Sequence, residues 1–178
     1  MNYQQIIDKY YPAGSPLRDI YMKHCRAVAD LALDIARRKL LPLDPEEVEA
    51  AAMLHDIGIF ETDAPSIQCF GKEPYIRHGI IGADILRRES VADSIARVAA
   101  RHTGAGLTAQ EIASQNLPLP GRDFLPETLL ERLVCYADKF YSKSGDMKRK
   151  PIERVRASMS RFGADSERRF EALHAEFS

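Results

Sequence analysis

The feature that most constrains this fold is a His-Asp pair set behind an apolar helix. Residues 45–54 read Pro-Glu-Glu-Val-Glu-Ala-Ala-Ala-Met-Leu, and His55-Asp56-Ile57-Gly58 follows directly. A run of small apolar residues belongs in an interior, and it draws the pair behind it inward. A buried carboxylate is costly unless it is paired or binds a metal. Imidazole nitrogen and carboxylate oxygen together suit divalent transition ions. The alternative for the tetrapeptide alone is a helix end with a capping His and a solvated Asp. Gly58 is expected to stop the helix at a left-handed cap.

The rest of the chain is dominated by helical periodicity, with no convincing alternating strand. Helices are expected over 17–40, from 45 to the His-Asp-Ile-Gly turn, over 75–88, 91–102, 108–114 and 127–141, with one or two charged amphipathic helices after Pro151. Pro16 and Pro45 mark helix starts, and Asp44 and Thr108 are N-cap residues. The segments 61–74 and 116–126 carry the Pro and Gly of loops. The expected fold class is all-α: a single helical globule over residues 1–144 with a metal site between core helices. A charged helical tail, 145–178, is expected to pack on the same domain.

Bulk properties narrow the function classes. The chain has 178 residues, with 25 basic and 26 acidic side chains and a net charge of −1. That balance predicts no nucleic-acid partner and no membrane attraction. No stretch approaches the roughly 18 apolar residues of a membrane span, and the first residues lack a signal-peptide pattern. Cys25, Cys69 and Cys135 are scattered, which argues against a disulfide framework and fits a reducing cytoplasm.

The five histidines are placed unevenly. His24 lies four residues before Val28, on the side of Leu31 and Ile35. His78 is followed by Ile81, Gly82 and Ile85. His102 closes the series Val91, Ile95, Val98. Asp138 lies four after Val134 and eight after Leu130. Positions three, four and seven apart share a helix face. Any one of these groups alone reads better as a hydrogen-bonded core residue. All of them together, with His55 and Asp56, point to one inner cluster. Four imidazoles and two carboxylates can hold two ions if one carboxylate bridges, and such centres serve displacement at phosphorus. His174 falls on the charged tail and is read as surface. No Gly-x-Ser-x-Gly, phosphate-binding Gly loop or Gly-x-Gly-x-x-Gly occurs.

The order His24, His55-Asp56, His78, His102, Asp138 resembles the HD superfamily of metal-dependent phosphohydrolases, in its dinuclear form. The likeness covers about residues 17–141. It implies that His24, His55, Asp56 and Asp138 hold one ion, and that Asp56 bridges to a second held by His78 and His102. The segments 77–83 and 101–103 resemble those of the HD class of bacterial dinucleoside tetraphosphate hydrolases. The stretch from His102 to Lys139 is similar to small uncharacterised HDIG proteins. Ile59 after Gly58, and the lack of Gly-Tyr-Pro, separate the chain from cyclic-dinucleotide phosphodiesterases of the HD-GYP group.

By this resemblance the chain is expected to be a phosphohydrolase of a small nucleotide or related ester or anhydride. It would use metal-activated hydroxide and one or two divalent ions such as Fe or Mn, with Asp56 as the catalytic residue. Arg77, Arg101 and Lys139 neighbour the ligands and are candidate phosphate contacts. A neighbour on a helix is turned about 100° away, so the alternative reading of these three is a solvated helix face. Lys148-Arg149-Lys150 is read as a solvated linker. Two other readings stay open: a di-iron oxygenase of the HD class, and a non-catalytic regulatory module stabilised by metal.

Overall fold

A computed structural model describes residues 2–178. Its helices are α1 (Tyr3–Tyr10), α2 (Pro16–Arg38), α3 (Pro45–Leu54), α4 (His78–Arg88), α5 (Asp93–Arg101), α6 (Ala109–Ser114), α7 (Leu129–Asp138), α8 (Ile152–Ser160) and α9 (Ala164–Phe177). The fold is all-α. The one sheet among the described residues is a two-stranded hairpin, Asp63–Ala64 against Cys69–Phe70. No described helix is long and apolar enough to cross a membrane.

Local chemistry explains the helix starts. Ser15 accepts from the Arg18 N–H with Pro16 at the first turn, and Asp44 accepts from the Glu46 N–H ahead of Pro45. Thr108 and Glu111 form a reciprocal capping box. α3 is buried from Ala50 to Leu54 on every side, as a helix apolar all round must be. Its alanines let α2 approach closely, while α4 packs on α5, and α7 lies against α2, α3 and α5. α1 was not legible as a helix because only Ile7 of its eight residues is buried. Its anchor is Tyr11, just beyond, which is buried, stacks on Tyr21 at 4.2 Å and donates to the Ile57 carbonyl.

The sequence after Pro151 folds back. Phe170 and Phe177 of α9 pack against Tyr136 of α7, with ring centroids 5.9 and 5.6 Å away. His174 is half-buried rather than purely surface, and its Nδ1 meets the Tyr136 hydroxyl at 2.8 Å.

Gly58 does not serve as a left-handed cap. Its φ is −88° and ψ −1°, a conformation open to any residue. Its role is close approach: an added Cβ would lie 2.4 Å from the His78 carbonyl oxygen and 2.5 Å from the Gly82 nitrogen. The missing side chain lets the turn after α3 press directly on α4. That contact brings His78 to Asp56.

Candidate metal centre

Five helix ends and faces deliver six side chains to one point. His24 comes from the middle of α2, and His55 and Asp56 from the turn after α3. His78 opens α4, His102 follows α5, and Asp138 ends α7. All six are buried, Asp138 the least at 8% exposure. One donor atom from each of His24, His55, Asp56 and Asp138 falls within a 4.8 Å group, and Asp56, His78 and His102 form a second. Asp56 belongs to both. Its Oδ2 lies 3.2 Å from the Nε2 of both His24 and His55. Its Oδ1 lies 3.5 and 3.4 Å from the Nε2 of His78 and His102.

The backbone selects the tautomers. Nδ1 of His55, His78 and His102 sits 2.6, 2.6 and 2.8 Å from the carbonyl oxygens of Ala52, Tyr75 and Ala99. A carbonyl only accepts, so each Nδ1 carries a proton and each Nε2 is the inward nitrogen, the one left to bind an ion. This is the orienting contact that metal-binding imidazoles ordinarily show. Its consequence is plain at His78 and His102, whose Nε2 atoms face each other at 3.0 Å. Two lone pairs at that distance repel unless a cation stands between or beside them. His24 Nε2, His55 Nε2 and both Asp56 oxygens are buried without a directed hydrogen bond among the described residues. The donor set, its tautomers and these orphaned atoms fit a divalent ion in each half.

Electrostatics agree. Burial would raise the Asp56 carboxyl pKa, but the charges of Lys143 and His55 hold it well below the usual range. Burial would lower that of His55, and the facing carboxylates lift it well above its ordinary value. Burial and the neighbouring His102 push His78 down to about 3, which keeps its ring neutral near pH 7. Tyr75 stacks on His78 with centroids 4.6 Å apart and fixes its ring plane.

The centre opens into a cavity of about 660 Å³. Its polar lining includes Lys139, Lys143, Lys150 and Gln115, and its apolar lining includes Leu117 and Met159. Lys139 therefore reaches the cavity, with its ammonium held 2.7 Å from Asp138 Oδ2 and 2.9 Å from the His102 carbonyl. Arg77 and Arg101 do not line it. Arg77 pairs with Glu73 and donates to the Pro118 carbonyl. Arg101 pairs with Glu127 and Glu131. Arg77 precedes His78 and Arg101 precedes His102, and the turn between neighbours aims them away from the cavity, at these acids.

Two cationic residues went unread in the sequence. Lys143 Nζ lies 2.6 Å from Asp56 Oδ2. Arg169, on α9, donates to the carbonyls of Ala105 and Gly106 and pairs with Glu111, tying the C-terminal helices to the turn beyond His102. Lys143 follows a helix at no periodic offset, and Arg169 stands among like charges, so no local pattern marks either.

The HD domain family model matches residues 21–142. A protein of Picrophilus torridus named tRNA (cytidine(56)-2'-O)-methyltransferase is 38% identical over 124 residues, covering 70% of this chain and 32% of that one. A protein of the same name from Thermoplasma volcanium is 33% identical over 172 residues, covering 96% of this chain and 45% of that one. An uncharacterized protein of Methanocaldococcus jannaschii is 38% identical over 120 residues, covering 66% of this chain and 63% of that one. The chain thus spans less than half the length of the two named relatives. No solved structure matches.

These relatives correct two expectations. The chain was expected to take its enzyme class, phosphohydrolase, from the HD superfamily. The named relatives are methyltransferases, so that class does not carry over with the motif. The physical reason is that the His and Asp pattern specifies how an ion is held and not which bond is broken. The expectation of no nucleic-acid partner also falls, because the same relatives are named for tRNA. It rested on a net charge of −1. A sum over the whole chain is blind to the cluster of Lys139, Lys143 and Lys150 at one cavity. With its metal-ligand order folded into one buried centre and the family model spanning residues 21–142, the chain belongs to the HD domain family.

Proposed function

We propose that this chain is a metal-dependent hydrolase module acting on an anionic ester or anhydride of an RNA-related substrate. One observation carries the reading: two potential ligand groups share Asp56, and three of their members, His78, His102 and Asp138, line a cavity that also holds three lysines. In this reading His24, His55, Asp56 and Asp138 would hold one divalent ion, and Asp56, His78 and His102 a second. A bound ion supplies Lewis-acid activation of water and neutralises charge at the reacting group.

The chain's own residues do the rest. The carbonyls of Ala52, Tyr75 and Ala99 hold three imidazoles in the ligating tautomer. Burial of the six ligands keeps bulk water from competing at the charged groups. Lys143 and Lys150 place positive charge beside the centre, which suits an anionic substrate. The link to RNA rests on the names of the Picrophilus torridus and Thermoplasma volcanium relatives.

Those names favour one second reading, a metal-stabilised module that holds tRNA for methyl transfer performed by another domain. The test loads the protein with Mn²⁺ or Fe²⁺ and offers it tRNA, tRNA fragments and nucleotides, with products read by mass spectrometry. The expected result is a hydrolysed product that vanishes with chelator and in Asp56→Ala. Binding of tRNA with no hydrolysed product under any metal would replace the first reading by the second.

A further inference from the structure

Three lysines approach the centre, and they are not equivalent. Lys139 is tied twice, to Asp138 Oδ2 and to the His102 carbonyl. Lys150 donates to the Lys139 carbonyl at 3.1 Å. Lys143 approaches Asp56 Oδ2 at 2.6 Å, and its ammonium also lies over the Tyr75 ring, 5.9 Å from the centroid, on the cavity side. That approach is ionic and lacks the angle of a directed hydrogen bond, since Asp56 Oδ2 has no hydrogen-bond partner. The side chain is only 12% exposed and lines the cavity. It follows α7 on an irregular segment whose Gly145 and Met147 have φ of 71° and 53°.

The oxygen that Lys143 contacts is the one on which the Nε2 atoms of His24 and His55 converge at 3.2 Å. An ion held there would compete with the ammonium for the same lone pairs. A dication and an ammonium side by side repel strongly in a dry site. An ion on Asp56 must therefore displace the Lys143 ammonium. Lys139 and Lys150 retain their partners, so Lys143 is the group free to turn. The cavity is the space open to it, and a partly desolvated ammonium facing a cavity seeks an anion.

We propose that Lys143 has two alternating partners, Asp56 in the metal-free protein and a tetrahedral oxyanion in the cavity once Asp56 holds a metal. This rests on the reading of Asp56 as a metal ligand. It assigns Lys143 an anion-binding subsite separate from the metal ligands, and it makes anion affinity depend on metal occupancy.

The test uses the full chain, Mn²⁺ alone and inorganic phosphate as probes, and calorimetry as the readout. Wild type should bind phosphate at least tenfold more tightly with Mn²⁺ present than without. Lys143→Met should bind Mn²⁺ severalfold more tightly, having lost the competing charge. It should bind phosphate about tenfold or more weakly in the Mn²⁺ form, the loss expected for one charge-assisted hydrogen bond. Lys143→Arg should restore phosphate binding to within a few-fold. Lys143→Gln, measured in parallel, keeps a polar tip should the Met variant fold poorly. If the neutral variants match wild type in either Mn²⁺ or phosphate affinity, the proposal is overturned while the metal reading stands. If wild type takes up no Mn²⁺, the metal reading falls and this proposal falls with it.

Discussion

Asp56 shows how much chemistry one residue can carry when its neighbours are fixed. Its two oxygens face different histidine pairs, so each half of the centre depends on it. Loss of His78 should be narrower. In His78→Ala the bound Mn²⁺ is expected to fall by one ion per chain, with helical content retained; metal analysis and circular dichroism together check this. Unchanged stoichiometry would leave His78 a core residue. At this scale the sequence was informative about which side chains meet and silent about their supports. His24, His78, His102 and Asp138 lie at helical offsets from apolar residues, a pattern that can be read along the chain. The carbonyls that orient the imidazoles belong to the backbone and leave no signature. Lys143 reaches Asp56 across 87 positions of chain, and only the fold joins them.

At the scale of the elements, close approach and paired charge set the helix positions. Gly58 was legible as the end of the helix but not as a left-handed cap, because its backbone angles are ordinary and its constraint is the carbonyl of His78 across the interface. Gly58→Ala should cost about 1–3 kcal/mol, the range for overpacking, and more if backbone must move. A melting temperature unchanged from wild type would show that α4 can shift freely. Glu131 makes a second case. Its side chain is fully buried, accepts from the Glu127 N–H at 2.8 Å, and pairs with Arg97 and Arg101. Burial pushes its carboxyl pKa up, but these hydrogen bonds and charges outweigh burial and leave it lowered. A carboxylate with a lowered folded pKa contributes stability above its unfolded pKa, near 4.3, and loses it as pH falls toward the folded value. Glu131→Gln should therefore be less stable than wild type at pH 7 by about 1–3 kcal/mol. The gap should narrow as pH falls below about 4. Denaturant titrations at both pH values check the sign, and a gap independent of pH would contradict it. The pairing also explains Arg101, which a reading of neighbours along the chain set beside the ligand and the fold turns to Glu131.

At the scale of the whole molecule, the core helices hold the centre and the C-terminal helices wall the cavity. Met159 and Arg169 line it from α8 and α9, beyond the stretch that matches the family. Arg169→Ala removes the tie to Ala105, Gly106 and Glu111. It should leave Mn²⁺ binding within about twofold while weakening binding of any ligand larger than phosphate; equal losses of both would place α9 in support of the centre itself. The all-α class was legible because periodicity repeats in nearly every segment. The cavity was not, because it forms between segments far apart in sequence. The central claim is that Asp56 bridges two ions, and anomalous X-ray scattering from Mn²⁺-soaked crystals tests it most directly. Two anomalous peaks about 3.5–4 Å apart, one beside His24, His55 and Asp138 and the other beside His78 and His102, are predicted. A single peak, or peaks away from Asp56, would contradict the account.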